Sequence, residues 1–167
     1  EQYRNAIASI ESAGSGDYKA VGPTHSKLGR ALGRYQVMEA NIGPWSREVL
    51  GYEVTPEQFM ENPALQDAIF DGKFGGYVEK YGPEGAAQAW FGGPGGVGKL
   101  ARKDSLGTSI GAYTDKFTNA LSGYGGQNSQ QPNSAPMWNA LPAPTNPPDE
   151  PLRFAYNGLD PNNFLMR

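Results

Sequence analysis

Apolar residues recur at the spacing of an α-helix in several stretches of the first 121 residues. The first stretch ends near Ser12, just before Gly14, and predicts a short helix. The last stretch covers residues 110–121, where apolar side chains follow at three-, four- and four-residue steps: Ile110, Tyr113, Phe117 and Leu121. Such a stripe is typical of a helix that packs one face on a core.

Start and stop signals place further helices between these two. A helix over 39–50 ends at Gly51, and residues 55–58 (Thr-Pro-Glu-Gln) carry the residues of a capping box. Asn62-Pro63 repeats the pattern of a cap followed by proline and opens a helix that runs to about Tyr81. Pro83 opens another helix, which stops at a glycine-rich run beginning at Gly92.

Alternating strand patterns are almost absent. Residues 13–35 have no sustained period and read as a long loop, with room for a small hairpin within 17–37. Loops of this length in a compact domain tend to be functional. The pattern therefore predicts a mainly α domain over residues 1–121.

The composition changes after Leu121. The chain has 23 Gly and 14 Pro, and 8 of the 14 Pro lie in residues 122–167. A segment so poor in apolar residues cannot bury enough surface to offset its chain entropy. Residues 122–167 are therefore predicted to form an extended tail or linker, with apolar anchors at 152–156 and 164–166 that fit docking on a partner.

Charge and composition exclude several classes of function. The net charge of −3 and the lack of a basic stripe argue against nucleic-acid binding. No apolar run is long enough for a membrane span. The chain has no Cys and one His, His25, which is too few ligands for a structural zinc site and is expected to be solvated. Because the chain starts at Glu1 rather than Met, we expect a fragment or a processed chain.

Residues 93–99 imitate a phosphate-binding loop. They fit the pattern G-x-x-x-x-G-K, but Leu100 stands where the motif needs Ser or Thr for magnesium. The motif also follows a strand, whereas the segment before Gly93 reads as an Ala-rich helix. Nucleotide binding is therefore not expected, and no cofactor is predicted.

Glu11 is the acidic residue with the most informative position. It lies at the predicted end of a mostly apolar helix, directly before Ser12 and a glycine break. A carboxyl group that is half buried there would favour its protonated form, which a general acid needs at neutral pH. The alternative is an ordinary surface Glu at a helix end, which is how most Glu occur.

Four ordered motifs give this position a context. They are Glu11-Ser12, then Gly33-Arg34-Tyr35-Gln36, then residues 89–95 (Ala-Trp-Phe-Gly-Gly-Pro-Gly), then Tyr113 in the last helix. In this order they resemble the soluble lytic transglycosylases, a family of peptidoglycan-cleaving enzymes. The resemblance covers about residues 1–121 and implies a lysozyme-like domain of the goose type.

The resemblance also assigns roles. Glu11 would be the single general acid and base, since these enzymes let the N-acetyl group of the substrate assist at C1. It would protonate the oxygen between N-acetylmuramic acid and N-acetylglucosamine, then take a proton from the C6 hydroxyl as a 1,6-anhydro ring closes. At the other matched positions, Ser12 and Gln36 would orient the glycan and the acid, Gly93 would line the cleft, and Tyr113 would approach Glu11 or the N-acetyl group. Tyr35, Trp90 and Phe91 are further candidates for glycan binding, on the chemistry of their aromatic rings rather than on a match.

The match departs from the family in places. Arg34-Tyr35 replaces Leu-Met, and residues 90–92 replace Tyr-Asn-Ala, so a polar contact of the family is missing at Phe91. This combination is similar to the variant found in phage and prophage virion proteins. Tyr35, Trp90 and Phe91 have flat faces that suit sugar rings, but aromatic residues at such spacings also form cores, as is expected of Trp45.

Two alternatives stay open beside the transglycosylase. A muramidase that hydrolyses peptidoglycan would need a second carboxylate, for which Asp17 is the nearest candidate, although a turn-stabilising role suits it better. A structural virion or secretion component would only bind glycan through a degenerate lysozyme-like domain. A wall substrate implies action in the periplasm, at the cell wall or from a virion, where the 122–167 tail would contact other assembly proteins.

Overall fold

A computed structural model describes residues 1–125 of the chain. This part is mainly helical, with five α-helices and one three-stranded antiparallel sheet. In chain order the elements are α1 (Gln2–Glu11), β1 (Val21–His25), β2 (Gly29–Leu32), β3 (Val37–Met38), α2 (Glu39–Leu50), α3 (Pro56–Glu61), α4 (Pro63–Gly92) and α5 (Ile110–Gly125). Short 3₁₀ turns occupy Asp17–Lys19 and Pro94–Gly96.

The predicted helix boundaries at α1 and α2 are confirmed. α1 ends at Glu11, with Ser12 as its C-terminal cap. α2 ends at Leu50, and its C-terminal cap Gly51 has a φ of +82°, the left-handed conformation that favours glycine at this position. Both helices therefore stop where a small residue or a glycine releases the backbone from the helical conformation.

The small hairpin is also confirmed, with one strand more than expected. β1 and β2 form the hairpin, and β3 adds a third strand through the pairs Ala31 with Met38 and Leu32 with Val37. A strand of two residues carries no alternating pattern, which explains why the sequence did not reveal it.

The capping signals before α3 and α4 work as the sequence predicts. Thr55 and Gln58 make both hydrogen bonds of a capping box, and the Asn62 side chain accepts from the backbone N–H groups of Ala64 and Leu65. Within α4, Gly82 has φ +75° and ψ 171°, outside the helical region. The helix thus consists of two segments that meet at the predicted break before Pro83.

The core is formed where α1, α4 and α5 meet, with α2 and the sheet packed on it. An aromatic cluster lies at its centre, made of Tyr3, Phe70, Phe74, Trp90 and Phe117. The stripe predicted in α5 contributes Ile110, Tyr113 and Phe117, each at most 2% exposed. Trp45 is buried as expected and contacts Trp90, with ring centroids 5.4 Å apart.

α5 continues to Gly125, a few residues past the point at which the sequence composition changes. The remainder of the predicted 122–167 tail, with its apolar anchors, lies outside the described residues. Among the helices of residues 1–125, none combines the length and the apolar character that crossing a bilayer requires.

Candidate active site

Glu11 and Tyr113 meet although 102 residues separate them. The Tyr113 hydroxyl donates a hydrogen bond of 2.5 Å to Oε1 of Glu11. Tyr113 is buried in the first turn of α5, whereas Glu11, the last residue of α1, is partly exposed. The packing of α1 on α5 therefore brings the first and fourth sequence motifs together at the carboxyl group.

Phe91 extends this contact to the third motif. Its ring stacks on the ring of Tyr113, with centroids 4.4 Å apart and an angle of 18° between the planes. Gly93, two residues after Phe91, is the C-terminal cap of α4, with φ +72°, and its carbonyl accepts from the N–H of Gly96. The glycines of this motif thus turn the chain sharply out of α4, next to the Phe91–Tyr113 stack.

The second motif forms a tight turn between β2 and β3. Gly33 has φ +76° and Gln36 has φ +52°, and the Gln36 side chain donates to the carbonyl of Gly33 at 2.9 Å. Gln36 is 5% exposed. A side chain on Gly22 in β1 would lie 2.0 Å from Oε1 of Gln36, so a glycine there admits the amide. The Gln36 side chain therefore stabilises its own turn and packs on β1.

Tyr35 and Trp90 lie in the core. Tyr35 is 0% exposed, stacks on Phe70 with centroids 4.2 Å apart, and accepts a hydrogen bond at its carbonyl from the Trp90 indole at 3.2 Å. Trp90 is 3% exposed and belongs to the aromatic cluster. Of the two interpretations that the sequence left open for these rings, the geometry matches the core. Phe91 is also buried, under Tyr113.

Ser12 is buried at the end of α1. Its hydroxyl donates back to the carbonyl of Ala8 at 3.3 Å, and its own carbonyl accepts from Ser15. It borders a surface depression of about 400 Å³, which Asn5, Asp17 and Arg34 also line. The Ser12 hydroxyl therefore serves the helix terminus on the side of α1 that faces this depression.

Asp17 and Arg34 form an ion pair. Oδ1 of Asp17 lies 3.4 Å from Nε of Arg34, and the Asp17 side chain is 54% exposed. Arg34 also donates to the Tyr18 hydroxyl at 3.1 Å and to Asn5 at 3.0 Å. Asp17 thus takes part in fixing the turn that follows α1, in agreement with the structural role that its glycine-rich context favoured.

His25 caps the β1–β2 turn. Its Nδ1 accepts from the backbone N–H groups of Lys27 and Leu28 at 3.1 and 3.3 Å. Partial burial and the nearby Lys27 lower the pKa of the imidazole, which agrees with a neutral ring that accepts at Nδ1. In the part of the chain that the structure describes, no group of three acidic or histidine side chains is arranged to hold a metal ion.

Two residues of α4 that no motif marked hold the second motif in place. Gln66, fully buried, accepts from the backbone N–H of Arg34 at 2.9 Å and donates to the carbonyls of Tyr18 and Phe59. Asp67 accepts from the Tyr35 hydroxyl at 2.5 Å. Their only sequence signal is a pair of polar residues between Leu65 and Ile69, which gives no indication of their partners.

Asp67 belongs to a carboxylate cluster made of Arg4, Tyr18, Tyr35, Asp67 and Asp71. Burial and the neighbouring Asp67 raise the pKa of the Tyr35 hydroxyl, which therefore remains a donor. Burial also raises the pKa of Asp71, although its partner Arg4 acts in the opposite direction. The cluster links α1, the turn after it, the second motif and α4.

The predicted residues thus fall into two groups. In the first group Glu11 accepts the hydrogen bond from Tyr113, Phe91 stacks on Tyr113, Gly93 caps the helix that carries Phe91, and Ser12 follows Glu11 at the end of α1. In the second group Gly33, Tyr35 and Gln36 form the turn after β2, and Trp90 anchors it through the Tyr35 carbonyl. In comparisons with known proteins, the chain matches no family model, no curated protein and no solved structure. The function is therefore argued from the geometry.

Proposed function

We propose that this domain is a peptidoglycan lytic transglycosylase with a lysozyme-like fold, in which Glu11 is the general acid and then the base. The observation that carries the proposal is the hydrogen bond from Tyr113 to Glu11. Glu11 and Tyr113 belong to separate motifs far apart in the sequence, and the carboxyl group of Glu11 accepts a hydrogen bond from the hydroxyl of Tyr113. The partial exposure of Glu11 beside the buried Tyr113 suits an acid that must meet a substrate.

The hydrogen bond also gives the Glu11 carboxyl group a donor at Oε1. In our proposal Glu11 starts protonated and supplies that proton to the substrate. After the proton passes to the glycosidic oxygen and the C1–O bond breaks, the Tyr113 hydroxyl stabilises the carboxylate that forms. The C6 hydroxyl then returns a proton to Glu11 as its oxygen bonds to C1, so the enzyme ends in its starting state.

A single catalytic carboxyl group is consistent with the surroundings of Asp17. A retaining or inverting hydrolase needs a second carboxylate that is free to act as a nucleophile or to activate water. Asp17 is paired with Arg34 in the turn after α1. In our proposal the N-acetyl oxygen of the substrate supplies the missing nucleophile and bonds to C1 as the leaving sugar departs. The C6 hydroxyl takes the place of water: its oxygen displaces the N-acetyl oxygen from C1 and its proton goes to Glu11.

Peptidoglycan as the substrate implies where the protein acts. We infer action in the periplasm or at the cell wall, either by a secreted protein or by a virion protein that opens the wall locally. The segment beyond the described residues would contact other proteins of such an assembly.

The test is a digestion of purified sacculi, analysed by mass spectrometry. The wild-type chain should release 1,6-anhydro muropeptides, and Glu11→Gln should abolish their release because an amide cannot supply the proton. Glu61→Gln, an exposed position at the end of α3, is the matched control and should keep full activity.

Three outcomes would contradict the proposal. If the wild type released only reducing-end muropeptides, and Asp17→Asn released none, the protein would be a muramidase. An inactive wild type that still sediments with peptidoglycan would indicate a binding module. Undiminished release by Glu11→Gln would exclude Glu11 as the acid.

A further inference from the structure

The Asp67 carboxylate is the point where three separate parts of the chain converge. Its Oδ1 accepts from the hydroxyls of Tyr35 at 2.5 Å and Tyr18 at 2.9 Å, and its Oδ2 accepts from Nη1 of Arg4 at 3.0 Å. The Asp67 side chain is 22% exposed, so water competes only partly for these bonds. Hydrogen bonds to an ionised acceptor are shorter and stronger than those between neutral groups.

Each donor is connected to a part of the candidate site. Arg4 lies on α1 about two helical turns before Glu11. Tyr35 precedes Gln36 directly in the second motif. Tyr18 lies in the turn after α1, and its hydroxyl also accepts from Arg34 at 3.1 Å, which in turn donates to Asn5 of α1. One carboxylate on α4 therefore joins the helix that carries Glu11 to the turn that carries Gln36.

We propose that Asp67 is a positioning residue for the Glu11 reaction, because it holds α1 and the 33–36 turn in fixed register. This inference rests on the proposed function. Asp67 does not contact the reacting atoms in this scheme. It acts through Arg4, Tyr18 and Tyr35, and its loss misplaces the acid relative to the glycan.

Asp71, one turn further along α4, provides a matched comparison. It accepts two hydrogen bonds from Arg4, at 3.0 Å from Nε and 2.9 Å from Nη2. Among the bonds of the carboxylate cluster it receives none from a tyrosine. Asp71 thus holds α1 against α4 without contacting the second motif, and its removal tests the helix contact alone.

The experiment compares Asp67→Asn and Asp71→Asn in the full chain on a soluble peptidoglycan oligosaccharide. In Asp67→Asn an amide NH₂ replaces one acceptor oxygen and faces a donor, so the three bonds cannot all form. We expect kcat to fall about 10- to 100-fold with KM within about twofold, since small displacements of catalytic groups have effects of this size. Asp71→Asn should stay within about threefold of the wild type in kcat.

A second measurement does not depend on turnover. The ¹³C signal of the Glu11 carboxyl group reports its hydrogen bond and its titration, and it should move in Asp67→Asn but not in Asp71→Asn. If Asp67→Asn fails to fold, Tyr35→Phe replaces it, because that variant removes one hydroxyl and keeps the ring stacked on Phe70.

Several results would overturn the positioning role. Equal losses of kcat in the two Asn variants would make the cluster a structural support only, and a wild-type kcat in Asp67→Asn would remove the role altogether. An inactive wild type would refute the proposed function, whereas an unmoved Glu11 signal in Asp67→Asn, or in Tyr35→Phe where that variant replaces it, would refute the positioning. The two failures are therefore distinguishable.

Discussion

α1 contacts α4 through two regions of opposite character. On one side, Tyr3 enters the aromatic cluster, with its ring 5.5 Å from Phe74 and 6.3 Å from Phe117. On the adjacent side, Arg4 enters the carboxylate cluster through hydrogen bonds to Asp67 and Asp71. Neighbouring residues of one helix thus reach α4 by apolar packing and by charged hydrogen bonds.

The difference shows a division of roles between the two regions: the aromatic cluster supplies stability, and the carboxylate cluster sets the position of α1. Burial of apolar surface is non-directional, and burying an aromatic ring contributes about 2 kcal/mol or more. The carboxylate cluster is partly exposed, so each ion pair contributes little net free energy. Its bonds are nevertheless directional, so they set the position of α1 along α4. Three predictions test this division, from the largest expected effect to the smallest.

Phe74→Ala should have the largest effect on stability. Phe74 is 1% exposed and contacts Tyr3, Phe70, Trp90 and Phe117. Truncation of such a ring costs about 3–5 kcal/mol of the free energy of unfolding, measured by urea denaturation. The kcat of the molecules that remain folded should stay within a few-fold of the wild type. A large fall in kcat with an unchanged free energy of unfolding would contradict the prediction, because it would give the aromatic cluster the positioning role.

Gly33→Ala should have an intermediate effect. With φ at +76°, any L-residue costs on the order of 1–2 kcal/mol, and the new Cβ would lie 2.2 Å from Oε1 of the buried Gln66. Gly51→Ala is the control, because its φ is +82° and a Cβ there meets nothing within 4 Å. The difference in unfolding free energy between the two variants isolates the contact with Gln66. Equal losses of unfolding free energy in the two variants would show that the Gln66 side chain moves aside without cost.

The smallest effects should appear in the pH dependence of stability, with opposite signs for two carboxylates. Hydrogen bonds from the side chain and backbone of Arg30 lower the pKa of Glu39, so its contribution is present above the unfolded pKa and is lost on acidification through the folded pKa. Burial raises the pKa of Asp71, so its contribution is present at low pH and is lost as pH rises through the folded pKa.

Unfolding free energies between about pH 2.5 and 7 check this pair of signs. The stability of wild type minus that of Glu39→Gln should grow with pH, and wild type minus Asp71→Asn should shrink over the carboxyl range. Two differences with the same sign would mean that burial does not dominate at Asp71.

The helices could be predicted because their signals are local. The capping box at Thr55, the Asn62 cap and the stripe through Tyr113 each depend on residues within a few positions. The two-residue β3 has no such signal. Gln66 and Asp67 illustrate the same limit at the site, since all their partners except Phe59 lie about 30 to 60 residues away.

The candidate site was predictable only as a set of motifs. The order of the motifs indicated Glu11 and Tyr113, and the structure adds their hydrogen bond. The sequence pattern could not decide whether Tyr35 and Trp90 lie in the core or bind a sugar, because a flat aromatic face suits both roles. Their burial depends on Phe70 and Phe74, which approach them from a different part of the chain.

The break at Gly82 has a mechanical consequence. It divides α4 into one segment that carries Asp67 and another that carries Trp90. Tyr35 spans the two: its hydroxyl is held by the first segment and its carbonyl by the second. Bending of α4 at Gly82 would move Asp67 and Trp90 relative to each other, so the two hydrogen bonds of Tyr35 oppose that bending.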